Sequence, residues 1–94
     1  MENSLPPKKS KSNWDYNLAR GALKNLKRFP KNERVRIFDA LENMKSNLFG
    51  GDTKPIQGEE NLYRRRVGDY RIYFRPISDK RVFYIPSIVR KQSH

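Results

Sequence analysis

Cysteine is absent from this 94-residue sequence, and histidine occurs once, at His94. Disulfide bonds, thiol chemistry, Cys-type zinc sites and histidine-rich metal centres are therefore all excluded. No apolar run approaches the ~18 residues that a membrane span needs, and the N-terminus lacks the apolar core of a secretory leader. Acidic residues are few: ten, against 21 lysines and arginines, and only Asp69 and Asp79 fall after residue 60, each at an expected turn tip. Metal-dependent hydrolysis wants clustered carboxylates or imidazoles, so that class is set aside, and neither a metal nor another cofactor is expected. Ser87 or Ser93 could be combined with His94 on paper, but no oxyanion-loop motif accompanies them. No glycine-rich phosphate loop precedes a helix, and no repeat is present. One small cytoplasmic domain is the expectation, with no membrane partner.

What the sequence does have is positive charge, unevenly placed. The net charge is +11, and residues 61–94 hold nine basic and two acidic residues together with six of the eleven aromatics. Basic residues interleaved with aromatics on strands point to nucleic acid more than to a membrane, which favours a basic amphipathic helix. Residues 1–13, rich in Pro, Lys and Ser, read as a flexible basic arm ahead of a domain spanning 14–94. Trp14 to Leu18 alternates large apolar and polar residues and makes a short first strand. Ala19, Ala22, Leu23, Leu26 and Phe29 recur at helical spacing, and Pro30 ends that helix. Asn32 suits the N-cap of a second helix, with Val35, Phe38, Leu41, Met44 and Leu48 as its apolar stripe and Gly50-Gly51 as its stop. Residues 52–61 read as a polar loop. Arg81 to Val89 is nearly continuously apolar and suits a strand buried on both faces, although Pro86 prefers an edge or a bulge.

Between these elements lies "NLYRRRVGDYRIYFR", Asn61 to Arg75, with five arginines in fifteen residues. Gly68-Asp69 is a two-residue hairpin turn signal of the Gly-first type. It sets a register in which Val67 faces Tyr70, Arg66 faces Arg71, Arg65 faces Ile72 and Arg64 faces Tyr73. Alternation then places Arg64, Arg66, Arg71, Tyr73 and Arg75 on one face. Like charges directly opposite each other destabilise a sheet by roughly 0.2–1 kcal/mol per pair. Such a face suits an anion. Guanidinium groups stabilise a pentacoordinate phosphorane, tyrosines stack on bases, and RNA brings its own nucleophile in the 2′-OH. The overall reading is α+β in the order β-α-α-β-β-β, a small, mainly antiparallel sheet packed against a two-helix hairpin.

The segments "ALKNLKRFPKNERVRIFDALENM", "LYRRRVGDYRIYF" and "FYIPSIVRK" resemble the RelE/ParE superfamily of toxins from toxin–antitoxin pairs, from about Trp14 to Ser93. The resemblance implies a cognate acidic antitoxin as partner. It also implies one of two activities: ribosome-dependent cleavage of mRNA through 2′-OH attack, as in RelE-type members, or poisoning of DNA gyrase, as in ParE-type members. The RelE-type reading is favoured, with a degenerate toxin that only binds RNA as a further alternative. Carried over by position, Arg64 and Arg66 would grip RNA, Arg71 would be catalytic, and Arg90 would assist as charge stabiliser or acid. Tyr73 and Arg75 join the RNA-binding set from the face argument. Arg65 stands where the family usually has an aliphatic residue facing the core. Several RelE-type members carry a tyrosine about six residues after the Arg90 position, a place this sequence does not reach, and His94 is the candidate base in its stead.

Overall fold

A computed structural model describes residues 13–91 of the chain. The expectations that fall on residues 1–12 of the basic arm and on His94 therefore lie outside the described residues.

Helix α1, Arg20–Arg28, buries Ala22 and Leu26. It stops at Phe29, which is extended (φ −74°, ψ 151°) as the residue before a proline tends to be. Pro30 (φ −56°, ψ 149°) then stands at the N-cap of α2, Lys31–Ser46. Asn32, expected at that cap, is already inside the helix. Proline has no N–H to satisfy and its fixed φ leads into the first turn, so it takes this place at little cost. The buried stripe of α2 is also rotated from the expected one. Ile37, Ala40, Leu41 and Met44 face the core, followed by Leu48, while Val35 and Phe38 are 50% and 39% exposed. Val35, Ile37 and Phe38 crowd one turn with apolar candidates, and the small Ala40 gave no strong hint of which face wins.

The sheet contains five strands: β1 Asp15–Leu18, β2 Thr53–Pro55, β3 Tyr63–Val67, β4 Tyr70–Ile77 and β5 Val82–Arg90. Their spatial order is β1-β5-β4-β3-β2. The β2, β3, β4 and β5 neighbours are antiparallel, and β1 pairs with β5 in parallel. Strand β2 lies in the stretch read as a polar loop, so the order gains one short strand. Lysine and proline are residues that sheet edges commonly carry, and "TKP" forms such an edge. In β5 only one face is closed: Phe83, Ile85 and Ile88 are fully buried, whereas Tyr84 is 40% exposed. The expectation of burial on both faces is corrected, because both helices lie on the same side of the sheet. Pro86 sits at an irregularity, where the pairing jumps from Tyr73↔Ser87 to Arg75↔Tyr84. Two residues of β5, Ile85 and Pro86, thus oppose Phe74 alone, and the bulge relieves Pro86 of the ladder donor it lacks.

The core lies between the helices and the sheet face carrying Tyr70, Ile72, Phe74, Phe83, Ile85 and Ile88. Aromatic contacts organise it. Phe74 meets Phe83 edge-on at 5.9 Å and stacks on Tyr63 at 5.6 Å. The opposite face of the sheet, which carries no helix among the described residues, positions the arginines.

Candidate nucleic-acid interface

The β3–β4 hairpin pairs as the turn signal predicts: Val67↔Tyr70, Arg66↔Arg71, Arg65↔Ile72 and Arg64↔Tyr73, with Tyr63↔Phe74 beyond. Gly68 takes φ +60° at the tip, a conformation in which a Cβ is strained. Because Ile72 and Phe74 are buried against the helices, Arg71, Tyr73 and Arg75 emerge on the outer face, with Arg64 and Arg66 beside them. Further residues that the sequence reading missed join this face, two of them polar partners of Arg64 and Tyr73. Lys54 pairs with Arg64 across β2–β3, and Ser87 pairs with Tyr73 across β4–β5. A signal for Lys54 existed in the Thr-Lys-Pro edge composition. Ser87 depended on the bulge at Pro86, which shifts the alternation of β5 by one residue.

The arginines of this face are not equivalent. Arg64 Nη1 lies 3.5 Å from Asp52 Oδ1. Arg75 donates to the Glu60 carbonyl at 2.8 Å and approaches Glu59 at 3.7 Å. Arg66 Nε donates to the Gly68 carbonyl at 3.2 Å. Arg71 differs: its Nη1 is shielded from solvent and has no hydrogen-bond partner among the described residues. A donor left in that state carries a desolvation cost of roughly 1–3 kcal/mol, more when charged, which an anion placed against it would remove. Arg71 also stands directly opposite Arg66 and between Arg66 and Val89, so nothing acidic neutralises it along the ladder.

Arg65 points the other way, toward the core side, as its alternation requires. Its guanidinium passes the end of the sheet to reach Asn43 Oδ1 at 3.3 Å on α2 and lies against Gly51. Gly51 has φ +63°, and a Cβ there would sit 2.7 Å from Arg65 Cζ. The aliphatic stem lies beside the core while the head reaches toward the rim, with its Nη1 still shielded and without a partner among the described residues. Partial burial lowers its pKa from the usual arginine value, and Asp52 works against that shift.

Arg90 is not on the Arg71 face. It pairs with Tyr70 rather than with Arg71, and its side chain leaves the sheet on the helix side. There its Nη2 lies 3.6 Å from Asp69 Oδ2. The fold therefore brings together Arg64, Arg66, Arg71, Tyr73 and Arg75, and holds Arg90 at the opposite side of the hairpin tip.

No family model matches the sequence, and no curated protein does. Solved structures do. The RelE–RelB complex from Pyrococcus horikoshii contains a chain with a TM-score of 0.76 and 20% identity, over 87% of this chain and 99% of that one. The YoeB/ParE toxin from Agrobacterium tumefaciens gives a TM-score of 0.70 at 16% identity, over 84% and 99%. These two establish the fold. The RelB–RelE antitoxin–toxin complex from Methanococcus jannaschii adds sequence to shape, with 30% identity over 78% of this chain and 87% of that one and a TM-score of 0.64. Fold and sequence thus agree, and the chain belongs to the RelE/ParE toxin superfamily.

Proposed function

We propose that this chain is the toxin of a toxin–antitoxin pair and that it cleaves mRNA on the ribosome. The observation that carries the reading is the Nη1 of Arg71, shielded and without a partner among the described residues, in a face with no acidic neighbour along the described ladder. In the proposed reaction the 2′-oxygen of one nucleotide attacks the adjacent phosphorus. The bond to the 5′-oxygen breaks, leaving a 2′,3′-cyclic phosphate and a 5′-hydroxyl. One proton leaves the 2′-OH and one reaches the departing 5′-oxygen. Arg71 stabilises the charge that accumulates on the phosphorane oxygens, the kind of contribution that most often dominates such catalysis. Arg64, Arg66 and Arg75 hold flanking phosphates, and Tyr73 offers a ring for a base. His94 is proposed as the base. Arg90 would have to leave Asp69 and cross the hairpin tip to assist Arg71, so the role that fits its position is binding.

The four clustered arginines include no strong base, which is why the substrate's own orientation matters. A ribosome that presents the 2′-OH in line supplies that entropic term. The partner is proposed to be an acidic antitoxin covering the outer face; the similar chains from P. horikoshii and M. jannaschii are each seen in complex with RelB. A second reading, inhibition of DNA gyrase, is favoured only by the likeness to a protein described as a YoeB/ParE toxin.

The test incubates the purified full chain with ribosomes programmed with a defined mRNA and maps the new RNA ends. Cuts within the ribosome-bound codon, with the same RNA left largely intact when free, are expected. Efficient cutting of free RNA, or gyrase-dependent DNA breaks with intact mRNA, would overturn the proposal.

A further inference from the structure

The hairpin tip carries arginine on both of its sides. On the outer side Arg66 is held to the Gly68 carbonyl. On the helix side Arg36 comes so close that a Cβ at Gly68 would lie 3.0 Å from its Nη2. Beneath Arg36 opens a cleft of about 590 Å³ between the α1–α2 turn, the tip and the end of β5. Arg28, Arg36 and Arg90 line it, together with Asn32 and the carboxylates of Glu33 and Asp69, over a floor formed by the tilted rings of Phe29 and Tyr70, 4.6 Å apart.

The charges in this cleft are only loosely committed. Arg36 meets Glu33 at 3.7 Å and Arg90 meets Asp69 at 3.6 Å, each through a single long contact between partly exposed groups. Pairs of this kind hold weakly. Arg28 has no ion-pair partner among the described residues. The surrounding segment is itself strongly basic, with seven basic residues and one acidic residue between Arg20 and Arg36.

We propose that this cleft takes one nucleotide of the same RNA strand whose neighbouring phosphates lie on the Arg66/Arg71 face, the strand rounding the Gly68-Asp69 tip. The proposal rests on the RNA reading given above and adds a second contact on the far side of the sheet. A phosphate offers each guanidinium a two-pronged contact, stronger than the single long contacts Arg36 and Arg90 make with their carboxylates, and so displaces them. The Phe29 ring supplies a surface for the ribose or base, Tyr70 being almost wholly buried beneath it. Asn32 offers both a donor and an acceptor to a base edge. An acidic peptide would use the arginines but would leave the aromatic floor and Asn32 without a counterpart.

The test measures binding of a fluorescent twelve-nucleotide single-stranded RNA to the full chain across a range of salt concentrations. Wild type is compared with Arg28→Ala/Arg36→Ala, and with Lys24→Ala/Lys27→Ala, which removes the same charge from α1 outside the cleft. Thermal melts confirm that each variant is folded. The cleft variant should bind about tenfold more weakly, with a salt slope shallower by roughly 0.7, the value for one phosphate contact of a single strand. The lysine variant should lose much less. Unchanged RNA affinity in the cleft variant, or equal losses in both variants, would overturn the cleft. Failure of wild type to bind RNA at all would overturn the RNA reading and the cleft with it.

Discussion

Arg71 and Arg65 are six residues apart in the same hairpin, and each has an Nη1 that is shielded and without a partner among the described residues. Their surroundings give the two atoms different meanings. Arg71 stands beside Arg66 on the outer face, where its donor is the one proposed to meet an incoming anion. Arg65 lies on the core side, with one 3.3 Å contact to Asn43 and a lowered pKa caused by desolvation. It is a tolerated misfit at an apolar position. Arg65→Leu should therefore leave activity unchanged and raise stability, by up to about 1 kcal/mol, by removing an unsatisfied buried donor. A denaturant melt checks this, and a clear loss of stability would show that the Asn43 contact holds α2 to the sheet. Gly68→Ala should cost about 1–2 kcal/mol, because its φ of +60° is strained for any residue with a Cβ. The flexible end of Arg36 can move aside, so little is added to that cost.

Among the elements, the β3–β4 hairpin was legible residue by residue and other parts were not. Its register follows from a two-residue turn and strict alternation, both local in sequence. The parallel pairing of β1 with β5 joins segments more than sixty residues apart and leaves no local mark. Strand β2 is three residues long, too short for any periodicity to show. The facing of α2 was misjudged because two apolar stripes compete within one turn. Arg90 was grouped with Arg71 by sequence resemblance, but a single step along β5 carries it to the other side of the sheet. The aromatic core is where β3 and β4 draw their stability. Phe74→Ala should cost about 3–5 kcal/mol, a large share of the roughly 5–15 kcal/mol available to a small domain. Loss of the cooperative thermal transition would register this, and a Tm within a few degrees of wild type would contradict it.

At the scale of the whole molecule the charge is divided by layer. One sheet face and the α1–α2 turn are basic, and of the seven acidic residues among 15–60 all but two lie after residue 36. A partner that is itself acidic would be steered to the outer face and would hold it less firmly as salt rises. The proposed antitoxin should therefore block cleavage by occupying the Arg64/Arg66/Arg71 face. A complex in which that face stayed open while activity was lost would require another mode of inhibition. The most direct test of the central claim is the single-turnover rate of mRNA cleavage on ribosomes by Arg71→Ala, measured beside its thermal stability. Cleavage should slow by ~10²–10³, and stability should hold or rise slightly as the Arg66–Arg71 repulsion is relieved. Undiminished cleavage by a folded Arg71→Ala protein would contradict the account.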